Sequence, residues 1–249
     1  MFTLVGYSKE LDTGGELSNL LPLADQHVRV EGDNIIVPSA LANLAGVAAV
    51  GANITAARLE TPSLRRTLLL DIPYLTREAG PTTSERVFGM FDNVLSLDPT
   101  EPMRFQAAEN AAGASRLTGL VWLSDGVLAP VAGDIFTVRA SGSGAAVPYA
   151  WTNVTVEMGQ TLPAGVYQVV GFSAHSANIL AARLVFVGLA SRPGVLATAN
   201  ESQAAYARFR RGGLGIWGEF EHSQPPTVDV LATAADTSFT FYFDLLKVA

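Results

Sequence analysis

Apolar and polar residues alternate along the second half of the chain, and this alternation predicts short β-strands. It is clearest in SFTFYFDL, residues 238–245, where Phe239, Phe241, Phe243 and Leu245 share one face of the predicted strand. Turns rich in Gly, Pro, Ser and Asp separate this segment from seven similar ones before it. The seven are DIFTVRA (134–140), WTNVTVEM (151–158), GVYQVVGF (165–172), NILAARLVFV (178–187), GVLAT (194–198), LGIWGEFE (214–221) and TVDVLAT (227–233). Eight short, evenly spaced strands indicate a β-sandwich or barrel, of which the jelly roll is the best-known eight-stranded form.

One segment of this half departs from the strand pattern. In NESQAAYARFRRGG, Asn200 can act as the N-cap of a helix, Gln203 can complete a capping box, and Gly212 can end the helix. The pattern predicts a helix of about ten residues, near 201–211, between the fifth and sixth strands. The corresponding part of the first half, TREAGPTTSERVFG (76–89), predicts a shorter helix or a loop.

The two halves of the chain share a repeated sequence. ANITAARL (52–59) and ANILAARL (177–184) differ at one of eight positions, and residues 45–59 match residues 170–184 at nine of fifteen positions without a gap. Weaker matches keep the same order along the chain. They are FTLV with FTVR (from Phe2 and Phe136), VRVEGD with VTVEMG (from Val28 and Val154), VFGMF with GLGIW (87–91 and 213–217) and EPMRFQAA with PPTVDVLAT (101–108 and 225–233). We therefore expect an all-β protein of two tandem eight-stranded domains related by internal duplication, residues 1–125 and 126–249.

Composition narrows the classes of function. The chain has 249 residues, of which 49% are hydrophobic and only 16% are charged, and its net charge is −7. Phosphate backbones are bound by basic surfaces, so we expect little direct binding of nucleic acid. There is no cysteine for a disulfide or a thiolate metal site. The N-terminus lacks the pattern of a signal peptide, and no apolar run is long enough for a transmembrane helix.

Candidate catalytic groups are scarce in the sequence. His27, His175 and His222 are far apart along the chain, which argues against a metal site of the His-x-His type. No nucleophile elbow, phosphate loop or dinucleotide fingerprint is present, and we expect no cofactor. Glu219 and Glu221 share one face of a predicted strand with Trp217, an arrangement that would suit sugar stacking but is more typical of a solvated strand face.

A basic cluster, Arg208, Arg210 and Arg211, ends the predicted helix. Arginines at a helix C-terminus complement the helix dipole. The same three side chains are the candidate contact for a phosphate or a lipid headgroup.

The chain resembles the double jelly-roll major capsid proteins of tailless icosahedral viruses, in particular those that infect bacteria. The resemblance lies in the two fused eight-stranded units and in RLVFVGLASRPG, GIWGEFE, PPTVDVLAT and FYFDLLKV, which read like the final strands of such proteins. It implies a structural protein of the virion without enzymatic activity, made in the host cytoplasm. It also implies a compact capsomer, because the chain is shorter than typical members, which carry long loops.

The same resemblance implies the partners. Three copies of a two-domain chain place six similar domains around one axis, so a homotrimer has a nearly hexagonal outline and can tile a shell. Further partners would be minor capsid or vertex proteins and an internal lipid membrane.

Two other classes of function remain open at the level of the sequence. A tandem β-sandwich that binds carbohydrate, as adhesins do, would be favoured by exposed rings at Trp122, Trp151 and Trp217. A glycan amidase or glycosidase on two fused jelly rolls would require carboxylates that meet in space.

Overall fold

A computed structural model of the chain describes residues 1–12, 14–67, 70–72, 74–76, 87–110, 113–203 and 205–248. They form two compact units: one lies between Thr3 and Val127, and the other begins at Leu128 and includes Met1 and Phe2. The strands between residues 2 and 124 are β1 (Phe2–Leu11), β2 (Ser18–Asn19), β3 (Leu21–Pro22), β4 (Val30–Glu31), β5 (Asn34–Ile36), β6 (Asn43–Gly51), β7 (Ile54–Glu60), β8 (Leu70–Asp71), β9 (Tyr74–Thr76), β10 (Phe88–Gly89), β11 (Leu95–Ser96), β12 (Pro102–Glu109) and β13 (Ser115–Ser124). Helix α1 (Pro62–Thr67) and a 3₁₀ turn (Ser39–Leu41) belong to the same unit.

The first unit has the strand order of a jelly roll. One sheet runs β10–β6–β13–β1, with β11 and β9 also pairing with β6 and with β3 beside β1. The other runs β4–β5–β12–β7–β8, with β2 also pairing with β12. If β1, β5, β6, β7, β8, β10, β12 and β13 are the first to eighth strands, the two sheets have the orders 6-3-8-1 and 2-7-4-5 of a jelly roll.

The second unit repeats this order, and its second, third, fifth and sixth strands are longer than those of the first unit. They are β14 (Phe136–Ser143), β15 (Thr152–Met158), β16 (Val166–His175), β17 (Ile179–Val185), β18 (Gly194–Leu196), β19 (Gly218–Glu221), β20 (Thr227–Ala232) and β21 (Ser238–Lys247). They pair as β18–β17–β20–β15–β14–β21–β16–β19, which is 5-4-7-2 joined to 1-8-3-6 through the first and second strands. All eight strands expected in this half are therefore confirmed, and the protein is a double jelly roll.

The repeated sequence occupies the same place in both units. ANITAARL leads into β7 and ANILAARL into β17, and each of these is the fourth strand of its unit. The weaker pairs FTLV/FTVR and EPMRFQAA/PPTVDVLAT fall on the first and seventh strands of their units. The internal duplication predicted from the sequence is thus visible as equivalent strands in equivalent positions.

Each unit has an apolar core between its two sets of strands. In the first, Val47, Leu59, Phe105 and Val121 are buried in one cluster. In the second, Phe239, Phe241, Phe243 and Leu245 of β21 are all buried, as the alternation predicted, and the ring of Phe241 stacks on that of Phe239 at 6.2 Å. Burial of each such ring contributes about 1.5–3 kcal/mol.

The prediction of a ten-residue helix near 201–211 is wrong in the length of the helix. A single 3₁₀ turn, Ala207–Phe209, lies there. The side chain of Gln203 does accept the backbone N–H of Ala199 at 2.9 Å, but Tyr206 is not helical, with φ −56° and ψ 121°. Side chains that anchor this segment to the neighbouring sheet outweigh its local helix preference. Its counterpart in the first half, residues 76–89, lies mostly outside the described residues.

Candidate functional site

The arginine cluster lies on the face of the second unit's sheet that is opposite the phenylalanine core. Residues 199–203 and 205–213, here called the crossing segment, lie between β18 and β19 in the chain and contact β14, β16 and β21. Phe209 is buried at the centre of this segment. Gly212, expected to end a helix, has φ +82° and donates its N–H to Val170 O at 2.6 Å. A positive φ of this kind favours glycine, and it turns the chain back toward β19.

Arg210 is committed to a buried carboxylate. Its Nε and Nη2 donate to Asp244 Oδ2 and Oδ1 at 2.7 and 2.9 Å, and Asp244 is 0% exposed. Asp244 also accepts the Thr137 hydroxyl at 2.6 Å and the backbone N–H of Arg211 at 2.7 Å. Burial alone would raise the pKa of Asp244, but the bonds from Arg210, Thr137 and Arg211 outweigh it and hold the pKa below its ordinary value.

The side chains of the other two arginines are oriented differently. Arg211 is exposed, and its Nη2 donates to Ile135 O at 3.2 Å. Arg208 is half-buried. The cluster is therefore not a set of three equivalent free cations, because Arg210 holds the crossing segment to β21. Contact of these three residues with a phosphate or a lipid headgroup stays a prediction.

A second set of polar contacts holds the start of the crossing segment. Glu201 accepts Arg139 Nη2 at 2.8 Å and also the hydroxyl of Tyr242. These two donors lower the pKa of Glu201 to about 2. His175, at the end of β16, bonds through Nδ1 to the hydroxyl of Thr198 at 2.5 Å. Tyr242, Asp244 and His175 thus form a polar face that the crossing segment covers.

The three histidines do not meet. His175 is buried, and this burial lowers its pKa, whereas His27 and His222 are exposed in the two separate units. Within the described ranges, no group of three or more histidine, aspartate and glutamate side chains is placed to hold a metal ion. No helix in those ranges is both long and apolar enough to cross a membrane.

The aromatic rings expected for sugar binding are not available. Trp122 and Trp217 are 0% and 1% exposed. Trp151 is half-buried, with the guanidinium of Arg183 centred 4.2 Å above its ring. Glu219 is exposed and accepts Gln168 Nε2 at 2.6 Å, as on a solvated strand face. The structure therefore removes the observation on which the carbohydrate-binding alternative depended.

A buried ion pair that sequence reasoning missed lies on the outer face of the second, seventh and fourth strands of the second unit. Arg183 Nε donates to Asp229 Oδ2 at 3.0 Å, and their side chains are 3% and 13% exposed. Asn153 Nδ2 donates to the other oxygen of Asp229 at 2.9 Å. The signal was in the repeat itself, since an arginine on a strand of alanines and leucines occurs in both copies.

The first unit has an equivalent row of polar side chains across its strands, but the acid that faces the arginine lies on a different strand. Strand register places Asn19, Gln106 and Arg58 side by side, as it places Asn153, Asp229 and Arg183 in the second unit. Gln106 takes the position of the acid, and Arg58 Nε instead reaches Asp71 Oδ1 on the fifth strand, at 3.0 Å. This pair is more exposed, 26% and 72%. Both copies neutralise the repeated arginine, but by different partners.

The chain matches no known sequence in the comparisons and has a weak match to a solved structure. Neither a protein-family model nor a curated protein sequence matches the chain. Among solved structures, the chain is similar to one described as the crystal structure of the major capsid protein P2 from Bacteriophage PM2, at 10% identity, covering 100% of this chain and 98% of that one. The TM-score is 0.27. A superposition at that score shows no shared fold by itself, so the double jelly-roll assignment depends on the strand order described above.

Proposed function

We propose that this chain is a structural subunit that assembles with copies of itself into the shell of a virion, in the manner of a double jelly-roll major capsid protein. The observation that carries the proposal is the same jelly-roll strand order in two units of one chain. We take residues 1–125 and 126–249 as the extents of the duplicated module. No enzymatic step is assigned to either unit.

Duplication has a geometric use in such a shell. Three chains of two similar units supply six units around a threefold axis, so that one gene product fills a nearly hexagonal tile. Contacts that are weak one by one become strong when a closed lattice repeats them. Only 16% of the residues are charged, so the surfaces that contact neighbouring chains would lose little hydration free energy on assembly. A homotrimer, an icosahedral shell and a bacterial host follow from the resemblance and belong to this proposal.

The remaining partners are assigned by chemistry. The net charge of the chain is −7, so we assign it no role in condensing a genome, which requires an excess of basic over acidic residues. If an internal membrane underlies the shell, the exposed Arg211 with Arg208 is the proposed headgroup contact, since Arg210 is held by Asp244. Minor capsid or vertex proteins would complete the shell.

Size-exclusion chromatography with light scattering tests the first step of assembly. The proposal expects a trimer, three times the 26.2 kDa of the chain or about 79 kDa, or a larger closed assembly. A monomer of 26.2 kDa over the whole accessible range of concentration would overturn it. A monomer that is retained on immobilised glycans would instead revive the carbohydrate-binding alternative.

A further inference from the structure

A pocket of about 240 Å³ lies in the first unit, where β5, β7 and β12 meet the start of α1. Glu60 is one of the residues that line it, and its side chain is 7% exposed. Arg65 Nη2 reaches Glu60 Oε1 at 2.8 Å, and Arg104 reaches Glu60 Oε2 through Nη2 at 2.7 Å and through Nε at 3.1 Å. Two cations thus share one anion, which leaves the pocket with a net charge of +1.

The two guanidinium groups have donors to spare. Arg65 and Arg104 line the pocket with side chains that are 55% and 34% exposed. Within the described residues their hydrogen bonds go to Glu60, which leaves Arg65 Nε and Nη1 and Arg104 Nη1 for another acceptor. A buried carboxylate that fixes the inner edges of two guanidiniums also orients their outer edges, and arginine forks match the geometry of oxyanions.

The neighbouring acid, Glu101, is not placed to accept hydrogen bonds from Arg65 and Arg104. Glu101 is buried and accepts the backbone N–H of Ser63 at 2.9 Å and that of Asp98 at 3.2 Å. It thereby stabilises the start of α1 and the turn before β12. The other arginine of α1, Arg66, pairs with Asp98.

The duplication shows that the fold itself does not require this cluster. Glu60 pairs with Arg104 across β7 and β12, and the equivalent pair across β17 and β20 is Val185 with Thr227. The second unit keeps the same strand pairing without either charge. The arginine–glutamate–arginine arrangement is therefore a feature that the first unit has in addition to its scaffold.

We infer that this pocket binds a small oxyanion, a phosphate or carboxylate group, through Arg65 and Arg104. The group comes either from a free anion or from an acidic side chain on a second copy of the chain. The inference does not depend on the proposed function, because a free anion can bind an isolated chain.

The test compares matched arginine variants in inorganic phosphate. The melting temperature is measured as sodium phosphate replaces sodium chloride at constant ionic strength, since a ligand that binds the folded state raises it. Arg65→Gln is expected to weaken the apparent phosphate affinity about tenfold, the effect of losing charge-assisted hydrogen bonds. Arg58→Gln changes the charge equally on the same sheet outside the pocket, and is expected to keep the affinity of the unaltered chain.

Equal responses of the unaltered chain, Arg65→Gln and Arg58→Gln to phosphate would overturn the inference, because a general salt effect needs no pocket. Arg104→Gln provides a second test and is expected to act like Arg65→Gln. Sedimentation velocity separates the two sources of the group. If a second copy supplies it, phosphate and Arg65→Gln both reduce self-association; if it is a free anion, self-association does not change.

Discussion

Replacing Asp229 by asparagine removes the negative charge that Arg183 faces and leaves the shape of the side chain nearly unchanged. Arg183 is 3% exposed and lies between Asp229 and the ring of Trp151. Removing one partner from a buried ion pair costs about 3–5 kcal/mol, because the remaining charge loses its attraction to that partner. The cation–π contact with Trp151, about 0.5–2 kcal/mol, remains and does not replace the missing charge.

The duplication supplies the control for this change. Asp71→Asn removes the acid from the equivalent Arg58, but Asp71 is 72% exposed. Exposed pairs contribute about 0–1 kcal/mol, so this variant is expected to keep nearly full stability. The same substitution on the same repeated arginine therefore differs between the two copies by the degree of burial.

Urea unfolding, followed by circular dichroism and by tryptophan fluorescence, measures both variants. We expect Asp229→Asn to lose at least about 2 kcal/mol more than Asp71→Asn. The double variant Arg183→Leu/Asp229→Leu is expected to recover most of the loss, since apolar residues replace a buried pair at little cost. Equal losses in the two single variants, or a double variant as unstable as Asp229→Asn, would show that burial of the Arg183–Asp229 pair does not determine its contribution to stability.

Two further predictions concern the polar face beneath the crossing segment. A Cβ on Gly171 would lie 2.5 Å from Asp244 Oδ2, so Gly171→Ala is expected to lower the free energy of unfolding by about 1–3 kcal/mol. The control is Gly126→Ala, since nothing lies within 4 Å of a Cβ at Gly126, and it is expected to leave the urea midpoint unchanged. Burial lowers the pKa of His175, so the unfolded chain takes up a proton first as the pH falls. The contribution of neutral His175 to the free energy of unfolding should therefore be fully present above about pH 6.5 and be lost as the pH falls below it. His175→Gln should reduce the fall in melting temperature that begins below about pH 6.5, and the exposed His222→Gln should retain it. An unchanged slope in His175→Gln would contradict the assignment.

Strand positions in the second unit could be predicted best where a strand is long and buries one face, as β21 does. The four apolar positions of β21 alternate without interruption, and a period of two is typical of a strand with one buried face. The second strand of the first unit could not be found in this way. It is divided between β2 and β5, which pair with different parts of β12 and are two and three residues long. Segments of that length have no measurable periodicity. The strand β18 is equally short, and it was predicted from the apolar residues of GVLAT rather than from a period of two.

The candidate site was harder to predict, because its contacts join distant parts of the chain. Asp244 alternates with the buried apolar residues of its strand and lies on the opposite face, where the crossing segment buries it. Local preferences in NESQAAYARFRRGG favour a helix, whereas the hydrogen bonds of Arg210 go to Asp244 and Ser173 on other strands, which the local sequence does not reveal. Arg58 and Arg183 were visible in the repeat, but their different acids depend on strand register.

The proposed function requires that two fused jelly rolls let a ring of three chains fill a sixfold tile. Electron microscopy of the purified protein in negative stain tests it most directly, through class averages of single capsomers and of any sheets or shells. Capsomers are expected to show hexagonal outlines that average with threefold symmetry and pack into plates or closed particles. Solitary two-lobed molecules, with no threefold class at any protein concentration, would contradict it.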